Sequence, residues 1–275
     1  MSSSSSLATV QSLLTSLSAC VSSSDVVLGS SLLDSIKLEL LNFDSLPPQL
    51  LPTPTASSER YLAACALELG VLLAAKSSDM VTFDRHMSQL KPLYFSCPHE
   101  TASCPHKRTV LGLNLLRLLS ADRLADLHSD LESYPPDVRS SPEVTSPLLL
   151  ERSLAVGSYD AVFDPKALSG PLAVLAGAFR STLHATARLK IADAVEVSYA
   201  YVSREDLCDL LFFQGGEAGD KELEEYIAQC REDWKLEGGG VVFEHNREGA
   251  RTEDVPTRNI IANNLRYATE IERIV

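Results

Sequence analysis

The stretch Arg108–Pro135, RTVLGLNLLRLLSADRLADLHSDLESYP, decides how the rest of the chain is read. It describes two helices meeting at a tight turn. Val110, Leu111, Leu113, Leu115, Leu116, Leu118 and Leu119 make the first apolar on almost every side, which predicts a helix buried all round. Gly112 and Asn114 interrupt that wall. A glycine there costs about 1 kcal/mol of helix propensity but lets another helix approach closely. Ser120-Ala121-Asp122 supplies N-cap candidates for the second helix. That helix is one-sided: Leu124, Leu127, His128 and Leu131 share a stripe from which Asp126, Asp130 and Glu132 are absent. A central buried helix followed by an amphipathic cover helix is the unit of a helical-repeat stack.

Outward from this pair the pattern recurs. Leu7–Val21 and Val26–Leu41 read as helices joined across Ser22-Ser23-Ser24-Asp25, behind a polar tail at Ser2–Ser6. A proline-rich segment from Asn42 to Ser57 leads to an apolar helix, Glu59–Ala75, and its amphipathic partner, Asp79–Phe95. A loop follows from Ser96 to Lys107. Beyond the central pair, Pro135–Pro147 reads as loop, and Leu148–Val156 and Tyr159–Leu168 as a shorter pair hinged at Gly157-Ser158. Pairs beginning near residues 7, 59, 108 and 147 repeat every 40 to 50 residues or so, within the range of helical solenoids. Residues 1–169 are therefore predicted to form a TPR-like helical-repeat solenoid.

After Gly170 the character changes. Leu172–Leu189 and Ile191–Tyr201 read as helix, and Ser203 with Asp206 opens another in a near-capping-box arrangement. Asp220–Asp233 is a further helix. Trp234–Glu237 and Val241–Glu244 are short alternating runs separated by Gly238-Gly239-Gly240, a strong hairpin signal. Helix, turn, helix and glycine-tipped hairpin predict a winged-helix module over residues 170–246. A polar linker, 247–256, precedes a last amphipathic helix, 257–275, with Ile261, Leu265, Ala268, Ile271 and Val275 on one side. The fold class is mainly α.

Composition removes several functions. A formal net charge of -13, from 24 Lys and Arg against 37 Asp and Glu, argues against a phosphate-binding surface. The helix Asp220–Asp233 is itself acidic, so the winged helix is not expected to bind nucleic acid. Its expected use is pairing, with Val241, Val242 and Phe243 as an edge strand that a neighbouring module extends. Six scattered cysteines, most within apolar helical patterns, point to a reducing compartment rather than a disulfide framework. The first basic residue is Lys37, which argues against a secretory or transit leader, and the apolar run at Leu62–Ala75 is broken by Glu68. Cytoplasm and nucleus are the expected locations, with no membrane contact.

No catalytic motif and no cofactor site emerge. Cys97-Pro98-His99 and Cys104-Pro105-His106 offer four soft ligands for a zinc-binding alternative. Yet paired ligands straddling a proline can hardly both reach one ion, and a stiffened loop is the expectation. Gly238–Gly240 joins strand to strand, so it is no phosphate loop. His128 is expected on the apolar stripe as a core histidine.

A helical solenoid running into one winged helix is the layout of PCI-domain proteins, and the chain resembles the PCI-domain subunits of the 26S proteasome regulatory-particle lid. The resemblance is carried by Phe83–Lys91 (FDRHMSQLK), Leu111–Leu116 (LGLNLL) and Leu118-Leu119-Ser120. Leu150-Glu151, Gly157-Ser158-Tyr159 with Val162-Phe163, Leu210–Phe213 and the closing nonapeptide Tyr267–Val275 add to it. The nonapeptide and LGLNLL are the most specific. No His-x-His pair matches the metalloprotease type of lid subunit. The resemblance implies a non-catalytic scaffold that meets other PCI subunits through its winged helix and enters a shared bundle through residues 257–275. The k subunit of eukaryotic translation initiation factor 3 shares the layout and is the rival within this class. The closing nonapeptide and Phe83–Lys91 favour the proteasome.

Overall fold

The computed structural model describes residues 2–23, 25–43, 45–47, 54–164, 166–168, 170–213, 217–231, 233–237, 239–243 and 257–273. In chain order the helices begin with α1 (Ser2–Ser23), α2 (Val26–Leu40), α3 (Ala56–Ser77), α4 (Met80–Ser96), α5 (Lys107–Ser120) and α6 (Leu124–Ser133). There follow α7 (Pro136–Arg139), α8 (Pro142–Val156), α9 (Asp160–Phe163), α10 (Pro171–Leu175) and α11 (Gly177–Ser198). Strand β1 (Tyr201–Ser203), α12 (Arg204–Leu210), α13 (Glu217–Cys230), β2 (Trp234–Glu237), β3 (Gly240–Phe243) and α14 (Thr257–Glu272) complete it. The chain divides into two compact units, Met1–Ala187 and Arg188–Val275.

In the first unit α1 pairs with α2, α3 with α4, α5 with α6 and α8 with α9, while α3 and α5 lie at the centre. Val10, Leu14, Leu17 and Val21 form the buried stripe of α1. Its serines and threonines stay helical by donating to carbonyls one turn back, as Thr9 does to Ser6 (2.8 Å) and Thr15 to Ser12 (2.7 Å). The helix continues upstream to Ser2, where the sequence suggests a polar tail. Asp79 caps α4, accepting from the amides of Val81 and Thr82 at 3.1 and 3.2 Å.

Helix α5 is buried from Thr109 to Ser120 except at Arg117, as its all-round apolar pattern requires. Both interruptions of that pattern have a physical role. Asn114 donates to the Asp130 carboxylate (2.8 Å) and the Tyr134 hydroxyl (3.3 Å), and Lys91 reaches the same Asp130 oxygen at 2.6 Å. Gly112 faces α8 so closely that a Cβ there would stand 2.4 Å from the Glu143 carbonyl oxygen. Pro147, four residues beyond Glu143, has no N–H to offer that carbonyl.

Several local expectations need correction. Asp122 adopts a left-handed conformation (φ 57°), and Arg123, not Ser120–Asp122, is the N-cap of α6. Arg123 then pairs with Asp126 at 2.7 Å. His128 is exposed rather than buried in the core, its Nε2 lying 3.7 Å from Glu151. Helix begins again at Pro136 and Pro142, inside the segment read as loop, because proline at the first helical position has no amide to satisfy. The pair after Gly157 is shorter than expected: Asp164, which precedes Pro165, is extended (ψ 123°) and ends α9. The first unit reaches Ala187 rather than 169, since Phe179, Leu183 and Ala187 of α11 join its core. Phe179 meets Phe83 edge-on with ring centroids 5.2 Å apart.

The second unit carries the order helix, strand, helix, helix, hairpin. Tyr201–Ser203 is a strand, not the end of a helix, and supplies a third member to the sheet. Ser203 caps α12, accepting from the Asp206 amide at 3.2 Å while its hydroxyl donates to the Asp206 carboxylate at 2.6 Å. The hairpin turn places Gly239 at φ 92°, a conformation that favours glycine.

Gly112→Ala is expected to destabilise the protein by about 1–3 kcal/mol, although alanine is the better helix former, because the added methyl meets backbone and not a yielding side chain. Gly177→Ala, with nothing within 4 Å, is expected to be neutral or slightly stabilising. Urea unfolding of the two variants checks both signs.

Candidate interaction surface

The sheet of the second unit runs in the order β1-β3-β2, with both pairs antiparallel. Tyr201 pairs with Val242 and Ser203 with Gly240, while Trp234 pairs with Phe243 and Leu236 with Val241. Val241, Val242 and Phe243 therefore belong to the middle strand, which corrects the edge-strand reading. Strand β1, hidden in sequence behind a helical pattern, takes up the backbone groups of β3 that were expected to be free. Val241 and Phe243 are buried in the unit's own core. The edges are β1 and β2, which show Tyr201 and Leu236 to solvent.

Two arginines hold this unit together. Arg188 donates to the carbonyls of Leu211 (3.0 Å) and Phe212 (3.1 Å), satisfying groups that α12 leaves open at its C-terminus, and lies 4.2 Å from the Phe213 ring centroid. Arg231 pairs with Glu196 at 3.2 Å and with Asp193, and Trp234 donates to the same Glu196 oxygen at 3.4 Å. Trp234 also meets Phe243 edge-on, which fixes β2 against β3.

On α13, Leu223 and Ile227 face inward and Glu222, Glu224 and Glu225 face solvent. A helix with this outer face repels phosphates. Glu244, Gly238 and Val275, named in the sequence reading, lie outside the described residues.

Helix α14 buries none of the side chains described on it. Ile261 is 58%, Leu265 63% and Ile271 49% exposed, and Ala268 is exposed as well. Four of the five stripe residues thus form an apolar ridge in contact with water, a surface that ordinarily has a partner. The sequence reading missed a second exposed apolar group: Val27 and Leu38 on α2 and Leu41 at its C-cap. Leu38 and Leu41 are three residues apart and so share a face, but burial alone tells which apolar face is inside.

The four ligands of the zinc alternative do not converge. Cys97 and Cys104 are buried, His99 is exposed, and His106 turns its backbone amide, not its ring, toward Glu68 (3.1 Å). Instead, Cys104 lies beside Cys65 and Glu68 of α3, with one ligand-type atom of each within 4.8 Å of the others. Glu68 has no exposed surface, and burial raises its pKa against the pull of hydrogen bonds from Tyr94 (2.5 Å) and His106. The contact between the two thiols lowers the pKa of Cys65 and raises that of Cys104. Cys65 and Glu68 stand one turn apart on a helix face, which sequence shows, but no local pattern ties them to Cys104.

A mainly helical array leading into a small helix-and-hairpin module defines a PCI-type protein. The chain belongs to the CSN8/PSMD8/EIF3K family, which it matches over residues 105–254. It is similar to 26S proteasome non-ATPase regulatory subunit 8 homolog A of Arabidopsis thaliana, with 34% identity over 246 residues covering 90% of each chain. The 26S proteasome regulatory subunit RPN12 of Saccharomyces cerevisiae is 28% identical over 272 residues, covering 94% of this chain and 97% of its own. The Caenorhabditis elegans 26S proteasome non-ATPase regulatory subunit 8 is 30% identical over 210 residues, 76% of this chain and 79% of its own.

Replacing Ile261 and Leu265 together by aspartate is expected to leave the thermal midpoint of the isolated chain unchanged, since exposed positions rarely alter stability by more than about 0.5 kcal/mol. A drop in the calorimetric midpoint would place the ridge inside the chain's own core.

Proposed function

We propose that the chain is a non-catalytic structural subunit of the lid of the 26S proteasome regulatory particle, supporting lid assembly and so ubiquitin-dependent protein degradation. The observation that carries this is the reach of the similarity: 34% identity across 90% of both chains to a regulatory subunit of that complex. The helices of the first unit act as a repeat array that gives contact surface. The second unit acts as the winged helix of a PCI module, and its sheet joins a neighbouring PCI subunit through β1 or β2, the outer strands of the described sheet. The ridge of α14 enters a bundle with helices of other lid subunits. Burying Ile261, Leu265, Ala268, Ile271 and Val275 there would contribute on the order of 5 to 10 kcal/mol before ordering costs. Cytoplasm and nucleus are the locations this reading implies.

Affinity purification of the full chain from native extract is expected to recover proteasome subunits. Recovery of translation initiation factors or ribosomes instead would overturn the assignment in favour of the initiation-factor branch. A chain truncated after Pro256 is expected to keep its helical circular dichroism yet fail to co-purify with the lid. Unfolding of the truncated chain would show α14 to be part of its own core. Normal incorporation would move the docking role elsewhere.

A further inference from the structure

We propose that Cys65, Glu68 and Cys104 form a binding site for one thiophilic divalent cation of the zinc and cadmium class. Two sulfurs and a carboxylate oxygen, drawn from the middle of α3 and from the loop entering α5, lie within 4.8 Å of one another. Such a donor set suits a tetrahedral d10 ion, with sulfur about 2.3 Å and oxygen about 2.0–2.2 Å from the metal. Glu68 and Cys104 are buried, while Cys65 is partly exposed and gives an ion and a fourth, water ligand a way in.

The surroundings already orient the donors. Glu68 is held through one oxygen by the Tyr94 hydroxyl at 2.5 Å and through the other by the His106 amide at 3.1 Å, which leaves each oxygen a further lone pair. Lys107 packs on the opposite partner of that carboxylate, its ammonium 4.8 Å from the Tyr94 ring centroid. The charge accounting closes locally. Binding releases the two thiol protons to solvent, and the ion with two thiolates and one carboxylate carries a single negative charge, which Lys107 offsets. The site differs from the sequence-level quartet: it omits Cys97, His99 and the His106 ring, and adds two residues from a helix nearly forty positions earlier in the chain. A filled site would fasten α3 to the start of α5.

The test uses the reduced full chain, loaded with zinc or titrated with cadmium to read thiolate-to-metal absorbance. About one ion per chain is expected. Cys65→Ser and Cys104→Ser should each abolish binding, and Cys97→Ser and Cys230→Ser should retain it. Absence of binding to the unaltered chain, retention in both of the first variants, or loss in Cys97→Ser would overturn the proposal. Should a serine variant fail to fold by circular dichroism, alkylation of the unaltered chain decides. Zinc should slow modification of Cys65 and Cys104 at least tenfold, and equal rates with and without zinc would refute the site.

Discussion

A carboxylate without exposed surface at the centre of the first unit sets the terms for its neighbours. Glu68 stands in the middle of α3 among Leu67, Leu69, Leu72 and Leu73, all buried. An unpaired buried charge of this kind would cost several kcal/mol, so partners must be brought to it. They come from two directions: Tyr94 from the last turn of α4, and the His106 amide from the residue that caps α5. One side chain thereby fixes where α4 ends and where α5 begins. The loop between them, Cys97–His106, follows that constraint, and Thr101 turns back to donate to the Cys97 carbonyl at 3.0 Å. The position of α5 in turn decides what can pack on it, and Gly112 admits α8 at a distance no side chain would allow.

Much of this was legible in the sequence, and the reasons are specific. The all-round burial of α5 and the close approach at Gly112 follow from residue size and spacing, which local sequence records. The capping role of Ser203 was readable for the same reason. Other features were hidden because they depend on partners remote in the chain. Strand β1 has only three residues and becomes a strand because β3 supplies its ladder. Until it was placed, Val241–Phe243 looked like an edge. His128 shares the apolar stripe of α6, yet Leu127 alone is buried on that helix, since no neighbour covers the full stripe. Pro142 and Pro147 looked like loop residues, but one opens α8 and the other lies within it. The grouping of Cys65, Glu68 and Cys104 joins residues whose proximity only the packing of α3 against the loop before α5 creates.

The second unit shows a different balance. Its core is small, and polar anchors supplement it: Arg188 closes the end of α12, and Arg231 joins the end of α13 to Asp193 and Glu196 of α11. Both guanidiniums also lie beside aromatic rings, Phe213 and Trp234. Planar cations that bond carboxylate or carbonyl with their edge and an aromatic ring with their face suit a module with few buried layers. The outer face of α13 meanwhile keeps its glutamates. Carboxylates on that face repel phosphates.

That charge distribution bears on the ridge of α14. A chain with a formal net charge of -13 repels copies of itself, which limits self-association through exposed apolar residues. The ridge itself is not acidic at its centre: Ile261, Leu265 and Ala268 alternate with Asn263, Asn264, Arg266 and Tyr267. An apolar stripe flanked by amides, an arginine and a tyrosine is composed like the core of a protein–protein interface, where aromatic residues and arginine are favoured and acids are depleted. On the proposed reading, repulsion between like chains together with a locally neutral ridge would favour a partner of different composition. The shared bundle proposed above would meet both conditions, because each helix could bury its own stripe without bringing two copies of this acidic chain together.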